Sequence, residues 1–174
     1  SVYGDSKQLP KQEDTIGNPL SPYAASKRMN EIYAGVFVNN YGMNVTGLRY
    51  FNVFGPRQSP SGAYAAAIPL FIYALMSGET VYIDGNGEQT RDFTFVENAV
   101  QANIKALLSD DNTIRGSVLN IALGEKITIN ALYQMITEML GTNKKAVYRE
   151  ERKGDVKDSL ADISKAKALL GYNP

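Results

Sequence analysis

Asn18-Pro19-Leu20-Ser21-Pro22-Tyr23-Ala24-Ala25-Ser26-Lys27 is the stretch from which the fold can be read. Ser21 has the side chain of a helix N-cap. Pro22 suits the first helical position, because its ring presets φ and it has no amide hydrogen to leave unpaired. A helix is therefore predicted from Tyr23 to about Asn40, with Ala25, Met29, Ile32, Val36 and Phe37 at helical spacing and Gly42 as its stop. Val45 to Val53 follows as a β-branched and aromatic run ended by Gly55-Pro56, the pattern of a buried strand. A helix followed by a strand is the building unit of an α/β chain.

The same alternation continues outward. Before the helix, residues 5 to 21 are polar and rich in turn formers, and Ser1-Val2-Tyr3-Gly4 reads as the end of a strand. After it, a loop from Arg57 to Ala63 leads to an apolar helix from Ala65 to Met76, and Val81 to Ile83 forms a short strand. Asp84-Gly85-Asn86-Gly87 is a turn or hairpin signal, followed by a strand over Arg91 to Val96 and a helix over Glu97 to Leu108. Ser117 to Ala122 is a further strand, Thr128 caps a helix from Ile129 to Leu140, Val147-Tyr148-Arg149 is a weak strand, and Ser164 caps a last helix ending at Gly171. There are no repeats or low-complexity tracts. The expectation is an α/β fold with at least partly parallel strand pairing.

The chain has 174 residues, 44% hydrophobic and 21% charged, the composition of a globular chain of one or two domains. It has no Cys and no His, which excludes a Cys/His zinc site, a thiol nucleophile, a disulfide frame and a Ser-His-Asp triad. Proton chemistry must then fall to Tyr, Lys or carboxylates, and there are eleven tyrosines. A formal net charge of zero argues against a nucleic-acid partner. No apolar run is long enough to span a bilayer and no basic-apolar leader is present, so no membrane association is expected and the cytoplasm is the expected compartment.

Tyr23 and Lys27 are four residues apart near the start of the predicted helix, so their side chains rise from one face and can meet a shared ligand. A phenol is a poor base at neutral pH; a neighbouring ammonium, helped by a cationic cofactor ring, favours the phenolate and brings it into a catalytic range. A bare Tyr-x-x-x-Lys is common by chance, and context gives it weight. Ser1-Val2-Tyr3-Gly4-Asp5, Ser21-Pro22-Tyr23-Ala24-Ala25-Ser26-Lys27, Leu48-Arg49-Tyr50-Phe51-Asn52-Val53-Phe54-Gly55-Pro56 and Arg91-Asp92-Phe93-Thr94-Phe95-Val96 together resemble, in order and spacing, the extended short-chain dehydrogenase/reductase superfamily and its NAD-dependent epimerase/dehydratase family. Within it the chain is most similar to nucleotide-sugar 4-epimerases.

The resemblance implies the C-terminal part of a Rossmann-type doubly wound sheet plus a smaller α/β nucleotide-sugar-binding domain. Residues 1–56 and about 92–124 would belong to the first, and 57–91 and 125–174 to the second. It implies NAD as cofactor and a UDP-sugar as substrate. Tyr23 would be the catalytic base and acid at the sugar 4-hydroxyl, with Lys27 on the nicotinamide ribose and Tyr50 and Phe51 beside the nicotinamide. Asn52 would bind the nucleotide sugar, Arg91 and Arg152 the diphosphate, and Asp155 the uridine ribose, as guanidinium forks suit phosphate oxygens and carboxylates suit vicinal hydroxyls.

Ser159 falls where the family limits the space around the sugar; a bulky Tyr there restricts relatives to UDP-glucose and UDP-galactose, whereas a small residue leaves room for an N-acetyl group. With the Ala63-Tyr64-Ala65-Ala66-Ala67 run, Ala66 and Ala67 included among the substrate contacts, this is similar to UDP-N-acetylglucosamine 4-epimerases of surface-polysaccharide synthesis. Ser1 also counts as a substrate contact. Related dehydratases and decarboxylases, the alternative enzyme reading, usually carry Glu there, so Ser1 favours the epimerase; a non-catalytic sugar-nucleotide-binding or assembly module is the other alternative. A homodimer through the Tyr-Lys helix is expected. The glycine-rich dinucleotide turn has no counterpart in the sequence, so the chain reads as half of a longer subunit, inactive when isolated.

Overall fold

Helix α1 (Pro22–Tyr41) starts as the capping pattern requires: Ser21 Oγ accepts from the Ala24 amide at 3.1 Å, and Gly42 closes the helix in the left-handed region at φ 67°. The computed structural model describes residues 1–61, 66–109, 112–151 and 156–174. After α1 come β1 (Gly47–Tyr50), β2 (Val53–Phe54), α2 (Ala67–Met76), β3 (Tyr82–Asp84), β4 (Thr90–Arg91), β5 (Thr94–Phe95) and α3 (Val96–Leu107). A 3-10 turn at Asn112–Ile114 leads into β6 (Val118–Ile121), β7 (Ile127–Thr128), α4 (Ile129–Met139), β8 (Val147–Arg149) and α5 (Ser164–Leu170). Among the described residues β1 pairs with β6, β2 with β5 and β3 with β8, all parallel, and β4 pairs with β7 antiparallel. The fold is α/β with mostly parallel pairing, as the alternation of elements predicts.

Two predicted strands are broken in the middle. The run from Val45 to Val53 divides at Phe51 and Asn52: the Phe51 amide still donates to Ile121 O at 3.0 Å, while Asn52 O already accepts from Thr94 N at 3.2 Å. The chain passes from one partner strand to another at Asn52, whose φ of 34° only Asn, Asp and Gly adopt readily. Such a switch point opens a crevice at the strand ends. β1 is half-buried to exposed instead of fully buried. The run from Arg91 to Val96 divides at Asp92 and Phe93, because the Asp92 side chain turns inward and has no exposed surface.

Other local readings change for equally local reasons. Gly85 and Gly87 make a turn but no hairpin, since β3 takes β8 as its partner and Gly85 N donates to Arg149 O at 2.9 Å. Residues 2–5 form a turn, with the Gly4 amide on Ser1 O and the Ser6 amide on Tyr3 O, while Val2 and Tyr3 enter the core. Ser164 is the first residue of α5 and not its cap; Asp162 Oδ1 accepts its amide at 2.9 Å. At the end of β2, a Cβ on Gly55 would lie 2.5 Å from Val96 Cγ1, so only glycine lets the strand pass the start of α3.

The apolar side chains gather in two cores. Val2, Tyr3, Phe51, Leu119, Ile121, Ile163, Leu170 and Tyr172 belong to the first; Phe71, Val81, Ile83, Leu132, Tyr133 and Ile136 belong to the second. The segment from Ala161 to Tyr172 thus packs beside β1 and β6. Of α1 only Ala24 is buried, and its apolar positions Met29, Ile32, Val36 and Phe37 are exposed. No helix among the described residues is long and apolar enough to cross a membrane.

Candidate functional site

A cavity of about 730 Å³ opens between α1 and the ends of β1 and β4, and Ser1, Tyr23, Lys27, Tyr50, Phe51 and Asn52 line it, together with Arg91 and Ser159. A second cavity of about 830 Å³ adjoins it, with Ala66 and Ala67 in its wall. Asn52 and Arg91 line both. Arg152 and Asp155, and Ala63 to Ala65 of the alanine run, lie outside the described residues.

The helix period sets Tyr23 and Lys27 side by side, with the Lys27 ammonium 5.3 Å from the centre of the Tyr23 ring. Tyr23 is 58% exposed, so its phenol is open to the cavity. The unusual backbone of Asn52 aims its side chain across the switch point: Nδ2 donates to Asp92 O at 2.9 Å and lies 3.5 Å from Ser159 Oγ. Ser159 is held in turn by its amide on Thr90 O at 3.1 Å. Arg91 is half-buried, with Nη1 donating to Thr90 O at 2.8 Å. Tyr50 gives its hydroxyl to Asn103 Oδ1 at 2.9 Å, whereas Phe51 is buried and its ring centre lies 5.9 Å from that of Tyr3. Phe51 is therefore a core residue whose edge reaches the cavity.

Several residues without a role assigned from the sequence hold this arrangement. The Asp92 carboxylate accepts the amides of Leu123 at 3.0 Å, Gly124 at 3.2 Å and Ala161 at 3.1 Å. Burial pushes its carboxyl above the ordinary value even though those three amides pull it down. The Arg49 guanidinium grips the Glu31 carboxylate through Nε at 2.7 Å and Nη2 at 3.0 Å, and its Nη1 reaches Tyr3 Oη at 3.0 Å and Glu13 O at 2.9 Å. The Tyr3 hydroxyl donates a hydrogen bond to Asn120 Oδ1, and Asn120 N donates to Glu13 Oε1 at 2.8 Å. Burial alone would raise the Glu31 carboxyl, but hydrogen bonds from Arg49 and Arg28 outweigh it and hold the group below its ordinary range. Lys11, also buried at the cavity, is lowered by burial. Asp92 and Arg49 lie inside the stretches that carry the resemblance, and Glu31 continues the Tyr23, Lys27 spacing by another four residues; that spacing was the available signal.

The cavity thus combines a phenol beside an ammonium, an amide and a small hydroxyl at a strand switch, and a guanidinium. Such a set can move a proton at a hydroxyl while holding an anionic, hydroxylated ligand. Among the described residues no group of three carboxylates could hold a metal ion, and the sequence has no His or Cys.

Comparison with known proteins shows the family. The model of the NAD dependent epimerase/dehydratase family matches residues 1–122. UDP-glucose 4-epimerase of Mycolicibacterium smegmatis is 34% identical over 174 residues, covering 100% of this chain and 54% of that protein. The solved structure of UDP-N-acetylglucosamine 4-epimerase from Methanobrevibacter ruminantium M1, in complex with UDP-N-acetylmuramic acid, superposes with a TM-score of 0.93 at 44% identity, over 99% of this chain and 54% of that one. That of UDP-glucuronic acid 4-epimerase from Bacillus cereus, in complex with UDP-glucuronic acid and NAD, gives 0.91 at 35% identity over 100% of this chain and 54% of that one. The chain spans about half the length of the curated relatives it matches.

Proposed function

Since the chain belongs to the NAD-dependent epimerase/dehydratase family, we propose that it forms the proton-transferring and sugar-binding part of an enzyme that epimerises UDP-hexoses at C4, favouring UDP-N-acetylglucosamine and UDP-N-acetylgalactosamine. The observation that carries this reading is the convergence of Tyr23, Lys27, Asn52, Arg91 and Ser159 on one cavity.

NAD, when bound, supplies the acceptor and donor of hydride at the sugar C4. The residues present fit its nicotinamide-ribose end: Lys27 offers an ammonium to ribose hydroxyls, and Tyr50 with the edge of Phe51 offers an aromatic wall. Tyr23 takes the proton of the 4-hydroxyl and returns it after the sugar has turned, with the charge of Lys27 beside it. Asn52 and Arg91, shared between the two cavities, hold the sugar and its diphosphate across the switch point, with Arg152 as second diphosphate ligand and Asp155 on the uridine ribose. Ser1 and Ala66-Ala67 border the sugar.

The small side chain of Ser159 leaves space beside Asn52 for an N-acetyl group. The exposed apolar face of α1 is the surface through which the enzyme pairs with a second copy. The favoured product serves polysaccharide synthesis in the cytoplasm.

The test is product formation from UDP-N-acetylglucosamine and UDP-glucose by the complete enzyme carrying this chain. Tyr23→Phe should lower kcat by about a hundredfold or more. Ser159→Tyr should lower kcat/KM for the N-acetylated sugar by about tenfold or more and spare UDP-glucose. Equal losses on both sugars would refute the role of Ser159, and a fully active Tyr23→Phe would refute the mechanism.

A further inference from the structure

Tyr23, Lys27 and Glu31 follow one another at intervals of four residues along one face of α1. All three line the cavity, and the third is held there by Arg49 of β1 in a two-pronged grip at 2.7 and 3.0 Å. The side chains of Arg49 and Glu31 are only 9% and 13% exposed, so the pair is shielded from the solvent that makes surface ion pairs weak. Arg49 is itself fixed from behind, by Tyr3 Oη and Glu13 O, and Tyr3 by the fully buried Asn120 of β6. The helix has little else to fix its rotation within these residues, since only Ala24 of its twenty is buried.

From this geometry we infer that Arg49 and Glu31 are the positioning pair of the Tyr23–Lys27 dyad: their fork sets the rotation and height of α1 against β1, and so the aim of the phenol. A planar guanidinium gripping a carboxylate at two points fixes direction as well as distance, which a lysine in its place cannot do. Arg28 touches the same Glu31 at 2.8 Å but lies on α1 itself, so it cannot transmit the position of β1. The inference rests on the proposed role of Tyr23 and adds the element that aims it.

The experiment compares Arg49→Lys, Glu31→Gln, Glu31→Asp, their Lys/Gln double variant and Arg28→Gln in the complete enzyme, each checked for a native circular-dichroism spectrum. Arg49→Lys, Glu31→Gln and Glu31→Asp should lower kcat by about ten- to a hundredfold, the cost of a misplaced reacting group, with KM for the UDP-sugar changed less than about threefold. The double variant should lose no more than the worse single one, and Arg28→Gln should keep wild-type kcat. Unchanged kcat in the folded single variants, a loss carried by KM alone, or an equal loss in Arg28→Gln overturns the inference. So does failure of every Arg49 and Glu31 variant to fold, because the pair would then be holding the domain and not the dyad. A wild-type enzyme inactive on every UDP-hexose would instead count against the proposed function.

Discussion

Asp92 and Glu31 are both carboxylates withdrawn from water, and their surroundings give them opposite behaviour in acid. Glu31 is held below its ordinary value of 4.5 by its two arginines, so its stabilisation is complete above that pH and is lost as the pH falls through the lower folded value. Asp92 is raised above its ordinary value of 3.8, chiefly by burial; the cost of its charge is present above the folded value and is relieved as the pH falls towards 3.8. Glu31→Gln should therefore flatten the loss of unfolding free energy below pH 4.5, measured by urea denaturation across a pH series. Asp92→Asn should lower unfolding free energy at pH 7 by about 2 kcal/mol or more. A carboxamide turns an N–H₂ towards backbone donors that need acceptors, leaving at least one buried amide unpaired. Because Arg91 precedes it and Asn52 bonds its carbonyl at 2.9 Å, the same variant should raise KM for the UDP-sugar.

Most of the helix termini were legible because their determinants are local, Ser164 being the exception as the first residue of α5 and not its cap. Ser21 with Pro22, Gly42, Thr128 and Gly171 each act within a turn, and each does what its side chain or its lack of one dictates. The strand breaks at Asn52 and Asp92 were not legible, because they are decided by partners 31 or more positions away in sequence: Asp92 O for the one, Leu123, Gly124 and Ala161 for the other. The parallel partnership of β3 with β8 was hidden for the same reason. α1 has two faces with different tasks. Tyr23, Lys27 and Glu31 occupy one, while Met29, Ile32, Tyr33, Val36 and Phe37 form an exposed stripe at the i, i+3, i+4, i+7, i+8 spacing of a packing surface. If this stripe forms the proposed dimer contact, Ile32→Glu with Val36→Glu should shift the enzyme to monomer in sedimentation velocity while leaving its far-ultraviolet spectrum intact. An unchanged sedimentation coefficient would remove α1 from the interface.

At the scale of the molecule, both cavities reach the points where β1 gives way to β2 and β4 gives way to β5, since Asn52 and Arg91 line each of them. The sequence singled out Tyr23, Lys27, Asn52, Arg91 and Ser159, and the fold brings all five to one cavity. What the sequence could not supply was the buried polar scaffold of Tyr3, Arg49, Glu31 and Asn120, whose members come from four separate segments and acquire meaning only when folded together.

The tie between the first and last parts of the chain bears on how the molecule is made. Lys11 bridges to Ala161, Gln12 reaches Asp162 across 150 positions, and the Asp92 carboxylate waits for the amide of Ala161. Contacts that distant form late, because the intervening loop must be closed before they return any free energy. On the ribosome α1 has long emerged before residues 156–162, beside Ser159, are synthesised. Helix α1 is therefore synthesised well before the residues that complete the cavity wall, and a nascent chain stalled short of residue 161 would expose that cavity to chaperones and proteases.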